Sequence, residues 1–512
     1  MQVEIGGYAW LDRAALLPRQ VANLVDRLTI QPRLVTDIPG AEPPAPIALY
    51  ALDEARNLLG VPRGFYRTMR TGAHEEVLRV GYGAPMRPLE TTARFEGPYA
   101  EQAQAVEVLL RALCGEDGQQ PWGGALLQAQ PAFGKTATAI EVARIIGRRA
   151  LILVHQEFLL HQWVDRIGKF LPDAVVGIIQ QDRCEHQVTR DGRAPDFVIA
   201  LLQSLARDTG GRYPQDLYGP DTFGLVASDE THRIGAASWC SIIPKFAAAY
   251  RIGLTATPRR KDGADDVFFY HIAPVTYAAR TQTVRPRVRR IYTGTTLTDI
   301  KRGSYEVKVD KLNSAQIVNQ LCQDRDRTRS IVDDLVQAVR AERKILVVSA
   351  RLEHLQEMAE DLVRIMKNVS LPFPVVTGFY TGQWFTGERW ETTTRAHRRG
   401  DPKLAPRTLA DLEQAERANV IFATQQLVME GLDIPALDVL VMATPISDVE
   451  QVVGRLRRVC VPSDRCEHWC PWRAGRCQGK PTPLVVDVVD ERIPRMRGMA
   501  ARRDRYYGTL GC

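Results

Sequence analysis

The sequence predicts an α/β chain of two tandem parallel-sheet domains behind a small N-terminal α+β accessory domain. Three observations predict it. Between residues 91 and 280, short bare apolar runs alternate with amphipathic stretches. The same alternation restarts between 311 and 491. The 512 residues exceed what one ordinary hydrophobic core organises. Bare apolar strands joined by amphipathic helices indicate parallel sheets covered on both faces.

Residues 1–90 carry the Pro-rich patch "DIPGAEPPAPIALYAL" and a turn-like "GVPRGFY", and are expected to form the α+β accessory domain, with DNA binding as its candidate role. In the first large block (91–280) the strand candidates are 123–129, 150–155, 197–202, 223–229 and 251–256. Helical stretches such as "PYAEQAQAVEVLLRAL" and "TATAIEVARIIG" separate them. Residues 281–310, with "RPRVRR", read as a linker. In the second block (311–491) the candidates are 344–350, 374–380, 420–425, 439–445 and 484–490, with a Cys-rich insertion at 460–477. Residues 492–512 read as a basic tail, and no short-period repeat is present.

Composition sets bounds on function. At 45% hydrophobic and 25% charged, the chain has the composition of a soluble globular protein. No run of about 18 uncharged apolar residues is present, so no membrane partner is expected. The start, "MQVEIGGYAWLDR", lacks the features of a secretory signal. Nine cysteines at irregular spacing do not form a disulfide framework, and a reducing cytoplasm is expected. The net charge of +7 permits a polyanion partner without demanding one. Arginines cluster at 285–290, 395–407 and 492–505, where each cluster alone reads as a solvated face.

"AQPAFGKT" (129–136) follows a strand and precedes a helix, the context a phosphate loop needs. Backbone N–H groups of the loop, Ala132 and Phe133 included, and of the helix start would face the phosphates. Gly134 would allow the turn, Lys135 would neutralise the β/γ oxygens and the Thr136 hydroxyl would bind Mg²⁺. Ala129 and Ala132 stand where glycine is common, and such loops often need positive φ. The strand candidate in "FGLVASDETHRIGA" (223–236) ends on Asp229 and Glu230. A strand-end Asp holds Mg²⁺ in P-loop NTPases, and an adjacent acid can polarise the attacking water. Asp229 is therefore the metal candidate and Glu230 the general base; the alternative is an acidic helix cap.

Further motifs follow in a fixed order. "QAQAV" (102–106) precedes the loop, and "LILVHQEFLLHQW" (151–163), "VIALLQSLAR" (198–207), "DETH" (229–232) and "GLTATPRRKDG" (253–263) follow it. In the second block stand "ILVVSARLEHLQ" (345–356), "VIFATQQLVMEGLDIPALDVLVMATP" (420–445) and "QVVGRLRR" (451–458). Over roughly residues 95–490 this series resembles the superfamily 2 helicases, most of all the UvsW-like and XPB-like DNA helicases, phage-encoded members in particular. The resemblance implies two RecA-like domains, ATP and Mg²⁺. It implies that Gln102 reads adenine, that Thr255 and Thr257 couple hydrolysis to strand movement, and that Gly431 and Asp433 face the nucleotide. Arg455 and Arg458, with Gln451 in Q-x-x-G-R-x-x-R, match the arginine fingers. "DETH" departs from the commoner "DEAD" and "DEAH", and Ala132 from the usual loop glycine.

The physical expectation is that ATP favours closure of the two domains, because only then do the arginines meet the phosphate charge, and that hydrolysis removes this contact. Nucleic-acid candidates are His155, Gln156, Gln203, Ser204, Arg351, Thr424 and Gln425, each equally readable as a strand-end cap. Salt-sensitive, largely sequence-independent binding is expected. The insertion 380–407 interleaves Trp384, Phe385 and Trp390 with arginines. These aromatics either stack on bases or pack their own loop. "CVPSDRCEHWCPWRAGRC" holds Cys460, Cys466, Cys470 and Cys477, with His468 as alternative ligand, and suits either a structural Zn²⁺ or reduced thiols.

The expectation is an ATP-dependent DNA helicase or translocase acting on branched or duplex DNA in recombination, repair or replication restart. For a phage-encoded chain it would work in the bacterial host cytoplasm. The alternatives are an RNA helicase, the duplex DNA translocase motor of a restriction or defence complex, and a non-catalytic nucleic-acid-binding scaffold.

Overall fold

The computed structural model describes residues 2–34, 42, 44–69, 75–130, 133–208, 211–233, 240–260, 262–279, 284–302, 305–371, 373–385, 404–430, 432, 434, 436–446, 449–456 and 481–512. The chain forms two compact units, Met1–Thr281 and Gln282–Cys512. Among the described residues no helix is long and apolar enough to cross a membrane.

The first unit is built on an eight-stranded sheet. From one edge to the other its strands are Arg183–Cys184, Val176–Gln180, Phe197–Leu201, Ala150–Val154, Leu225–Ser228, Tyr250–Thr255, Gly123–Gln128 and Val275–Ala278. Only the short strand Arg183–Cys184 runs antiparallel to its neighbour. The central strands are buried throughout, as expected where both faces are covered. Alternate residues supply the two faces. Leu127, Ile152, Ile199, Ala227 and Leu254 face a core closed by helices Ala100–Cys114, Lys135–Ile146 and Glu157–Phe170.

Leu126, Leu151, Leu153, Val198 and Val226 face a second core, which is continuous with that of the N-terminal block. This block is a five-stranded mixed sheet, ordered Ala51–Asp53, Leu58–Val61, Ala9–Asp12, Gln2–Ile5 and Glu75–Leu78. It is α+β as expected, and it belongs to the same compact unit as the large sheet. The guanidinium of buried Arg251, on strand Tyr250–Thr255, donates to the carbonyls of Gly7, Ile243, Phe246 and His271. Backbone approaches backbone at this seam, for a Cβ added at Gly7 would lie 1.8 Å from the Pro244 carbonyl oxygen.

The second unit carries a six-stranded, wholly parallel sheet. Its order is Arg287–Tyr292, Leu484–Val489, Val439–Met442, Ile345–Ser349, Val420–Thr424 and Thr377–Tyr380. Helices Arg325–Arg340 and Leu352–Met366 cover one face, and helices Leu409–Glu416, Gln425–Glu430 and Glu450–Leu456 help cover the other. Asp324 caps the first of these, accepting from the N–H groups of Asp326 and Arg327.

Two segments differ from expectation. The supposed linker supplies the edge strand Arg287–Tyr292, paired in register with Leu484–Val489. Its arginines project from a half-exposed edge, so the segment reads as solvated although its backbone is in the ladder. The supposed basic tail contains helix Pro494–Leu510, whose Arg503 and Tyr507 are buried against the sheet.

Candidate active site

The phosphate loop leaves the end of strand Gly123–Gln128, where the Ala129 N–H donates to the Thr255 carbonyl of the neighbouring strand at 2.9 Å. Gly134 caps the following helix, Lys135–Ile146, with φ of 95°. This left-handed geometry costs a residue with a Cβ about 1–2 kcal/mol. An added Cβ would also lie 2.7 Å from the Gln102 amide nitrogen. That amide is buried and donates to the Phe133 carbonyl, so Gln102 braces the loop from behind. The first N–H groups of the helix have no intrahelical partner and carry the positive end of its dipole, which suits an anion. Lys135 extends Nζ back to the Ala129 carbonyl at 3.0 Å and lies 4.0 Å from Glu230 Oε1.

Asp229 and Glu230 follow strand Leu225–Ser228 directly. Buried Asp229 accepts from Trp163 Nε1 at 2.8 Å and from the Glu230 N–H at 2.9 Å. Burial, reinforced by the Glu230 carboxylate and opposed by Lys135, pushes the Asp229 carboxyl up to about 6. Each carboxylate oxygen keeps a lone pair for a cation, so this acid and the Thr136 hydroxyl suit Mg²⁺. Glu230 sits at φ of 45°, an unusual conformation for a non-glycine residue and a recurrent mark of functional positions.

His232 and Trp163 were not singled out by sequence reasoning. His232 Nδ1 lies 2.9 Å from Thr255 Oγ1 and 3.5 Å from Glu230 Oε2. The Thr255 hydroxyl in turn donates to the Thr257 carbonyl at 2.8 Å. The imidazole is thus within hydrogen-bond distance of the segment 255–257 and lies beside the acid pair. The signal lay in "DETH" itself, whose last residue carries a titratable ring. Trp163 lay in the quoted "HQEFLLHQW", but only the fold brings it to Asp229.

Among the nucleic-acid candidates of the first unit, His155 and Gln156 are half-buried where strand Ala150–Val154 passes into helix Glu157–Phe170. Exposed Gln203 donates to the His155 carbonyl at 3.3 Å. Ser204 turns inward: it is buried, and its hydroxyl accepts from the Gln181 N–H at 3.0 Å. In the second unit, Arg351 binds Asn319 Oδ1 at 2.6 Å and the Ala350 and Ala315 carbonyls. Thr424 and Gln425 are half-buried where strand Val420–Thr424 meets helix Gln425–Glu430. Trp384 stacks on Phe379 with ring centroids 4.0 Å apart, so this aromatic packs on its own domain. Gln451 and half-buried Arg455 lie on helix Glu450–Leu456. Ala132, Trp390, Gly431, Asp433, Arg458, Cys460, Cys466, His468, Cys470 and Cys477 lie outside the described residues, and the zinc expectation with them.

Residues 97–260 match the family described as "Type III restriction enzyme, res subunit". The chain is 24% identical over 459 residues to "Putative ATP-dependent RNA helicase L396" of Acanthamoeba polyphaga mimivirus, covering 89% of this chain and 75% of that protein. It is 22% identical over 395 residues to "Probable helicase D10" of Escherichia phage T5, covering 74% of this chain and 71% of that one. Among solved structures, T4 UvsW aligns over 100% of this chain and 98% of its own at 14% identity, with a TM-score of 0.39. The chain is similar to superfamily 2 helicases. It is an ATP-hydrolysing enzyme.

Proposed function

We propose that the enzyme couples ATP hydrolysis to movement along DNA, with unwinding or branch migration of branched or duplex substrates in recombination, repair or replication restart. The observation that carries this reading is the placement of His232, 2.9 Å from Thr255 Oγ1 and 3.5 Å from Glu230 Oε2, between the acid pair and the segment 255–257. A change at the γ-phosphate is felt first by Glu230, then by His232, then by Thr255. That order is what a motor needs and a passive scaffold does not.

In this reading Gln102 and the loop 132–136 hold ATP, and Lys135 neutralises phosphate charge. Thr136 and Asp229 hold Mg²⁺, which supplies charge neutralisation at the phosphates. Glu230 orients and deprotonates the attacking water. Arg455 and Arg458 supply the cations that complete the transition-state charge, and Gly431, Asp433 and Gln451 line the nucleotide from the second unit. His155, Gln156, Gln203, Arg351, Thr424 and Gln425 contact the strand backbone. The setting is the cytoplasm, that of a bacterial host if the gene is a phage's.

A second reading, an RNA helicase, is favoured by the printed name of the mimivirus relative. ATP turnover measured against single-stranded DNA, duplex, fork, four-way junction and RNA separates the two. Stimulation by forks and junctions above RNA supports the DNA reading. Stimulation by RNA alone transfers the assignment, and equal rates throughout remove the motor.

A further inference from the structure

Two buried ion pairs in the second unit have no part in the reading above. Both start from carboxylates of strand Leu484–Val489, Asp487 within it and Asp490 just beyond its end. Asp487 is paired with Arg503, at 3.0 Å from Nε and 2.9 Å from Nη2, with side-chain exposures of 1% and 2%. Asp490 is paired with Arg327, at 2.7 Å from Nε and 3.2 Å from Nη2, and both side chains are 0% exposed. Arg503 comes from helix Pro494–Leu510 and Arg327 from helix Arg325–Arg340.

Each guanidinium has a further nitrogen to place, and both place it on the same short segment. Arg327 Nη1 donates to the Ala443 carbonyl at 2.7 Å, and Arg503 Nη1 donates to the Ile446 carbonyl at 3.1 Å. This segment leaves strand Val439–Met442 and leads to helix Glu450–Leu456, which carries Arg455. Its other side is held to the strand Ile345–Ser349 edge, where the Ala443 N–H donates to Val348 and the Thr444 hydroxyl accepts from the Ala350 N–H.

Burying two ion pairs is a poor way to gain stability alone, since desolvation offsets most of the attraction. Burial indeed pushes the Asp487 carboxyl above its ordinary range, against the pull of Arg503. What a guanidinium offers over an apolar side chain is direction. Its rigid planar fork can grip a carboxylate with one edge and aim a donor at a chosen carbonyl with the other.

We infer that Arg503 and Arg327 are positioning residues for hydrolysis: anchored on Asp487 and Asp490, they set the lead-in of the arginine-bearing helix through the Ile446 and Ala443 carbonyls. The C-terminal helix thereby acts on turnover without touching nucleotide. This inference rests on the role proposed for Arg455.

The test uses the full chain and steady-state ATP hydrolysis at saturating stimulating nucleic acid, with kcat and KM for ATP resolved. The variants are Arg503→Lys, Arg327→Lys, Arg455→Ala and the double variant Arg503→Lys with Arg455→Ala. Lysine keeps the charge beside the aspartate but loses the second donor edge. The expected result for Arg503→Lys is a kcat about tenfold lower, with KM and melting temperature near those of the parent. In the Arg455→Ala background the same change is expected to cost less than about twofold, because the residue it positions is gone. A kcat for Arg503→Lys within twofold of the parent overturns the proposal, and so does a loss that multiplies in the double variant. If Arg503→Lys does not fold, Arg327→Lys is read by the same criteria; loss of folding in both assigns the ion pairs to stability and ends the proposal. Parental turnover in Arg455→Ala sinks the reading of Arg455 itself, a distinct outcome.

Discussion

The two units share one architecture, a parallel sheet covered on both faces, yet they hold their functional ends by different means. In the first unit the candidate site is made by strand ends speaking to their neighbours. Lys135 meets the Ala129 carbonyl six residues away, Glu230 lies 4.0 Å from Lys135 at the start of its helix, and His232 reaches Thr255 at the end of the adjacent strand. In the second unit the helix bearing Arg455 follows a segment held by guanidiniums 116 and 57 residues away in sequence. The difference teaches that the first unit brings contiguous motifs together at the ends of its strands, whereas the second holds the lead-in to its arginine-bearing helix through buried ion pairs. Damage to the first unit should therefore appear as lost chemistry in a folded protein. Damage to the second should appear as lost stability or lost aim.

The largest effect expected is from Lys135→Ala, which removes the cation proposed to neutralise the phosphates. ATP turnover should fall by about 10³-fold or more with the melting temperature retained; a variant that still turns over at a tenth of the parental rate would break the comparison at its strongest point. Glu230→Gln should lose about 10²–10³-fold in kcat while still binding ATP, as removal of a general base does. Equilibrium binding of a fluorescent ATP analogue separates that result from a collapsed site.

In the second unit, Arg327→Met leaves Asp490 buried without its cation. A loss of about 3–5 kcal/mol is expected, read as an earlier denaturant midpoint for this unit while the first unfolds as before. Coincident loss in both units would blur the division drawn here. Gly134→Ala should be milder. It forces a Cβ into left-handed backbone and against Gln102, so KM for ATP should rise about tenfold for a strain of about 1.4 kcal/mol.

The smallest effect is one of pH. With the Asp229 carboxyl pushed up to about 6, a proton competes with Mg²⁺ below that pH. The Mg²⁺ concentration for half-maximal turnover should rise as pH falls from 7 to 5, and a value independent of pH over that range would remove Asp229 as the metal-holding acid. The sign for stability is opposite to that of a salt-bridged acid. The folded state keeps a proton that the unfolded chain has released between about pH 4 and 6, so this carboxyl costs stability as pH rises through that window.

Much of the framework was readable in advance, for particular reasons. Strands such as Ala150–Val154 and Ile345–Ser349 are uninterrupted apolar runs because both faces of their sheets are buried. Strand Val176–Gln180 was missed, and so was Arg287–Tyr292, whose arginines at 287, 289 and 290 belong to an exposed edge and look like a solvated linker. Ser204 reads as a strand-end polar group, and its inward turn depends on the Gln181 backbone 23 residues away. Nothing within residues 1–90 announces that Gly7 lies against Pro244 or that Arg251 reaches back to it.

The amino-acid order alone determined the candidate loop 129–136, the adjacent acids Asp229 and Glu230 and the alternation of strand and helix, because each depends on residues adjacent in the chain. The tertiary structure decided which polar side chains are buried and what they hold. His232 becomes a bridge only where Thr255 stands beside it, and Arg503 becomes part of the interior only because Asp487 waits there. A charge can leave water only when its partner is already in place, and that condition is met by folding, not by sequence neighbours.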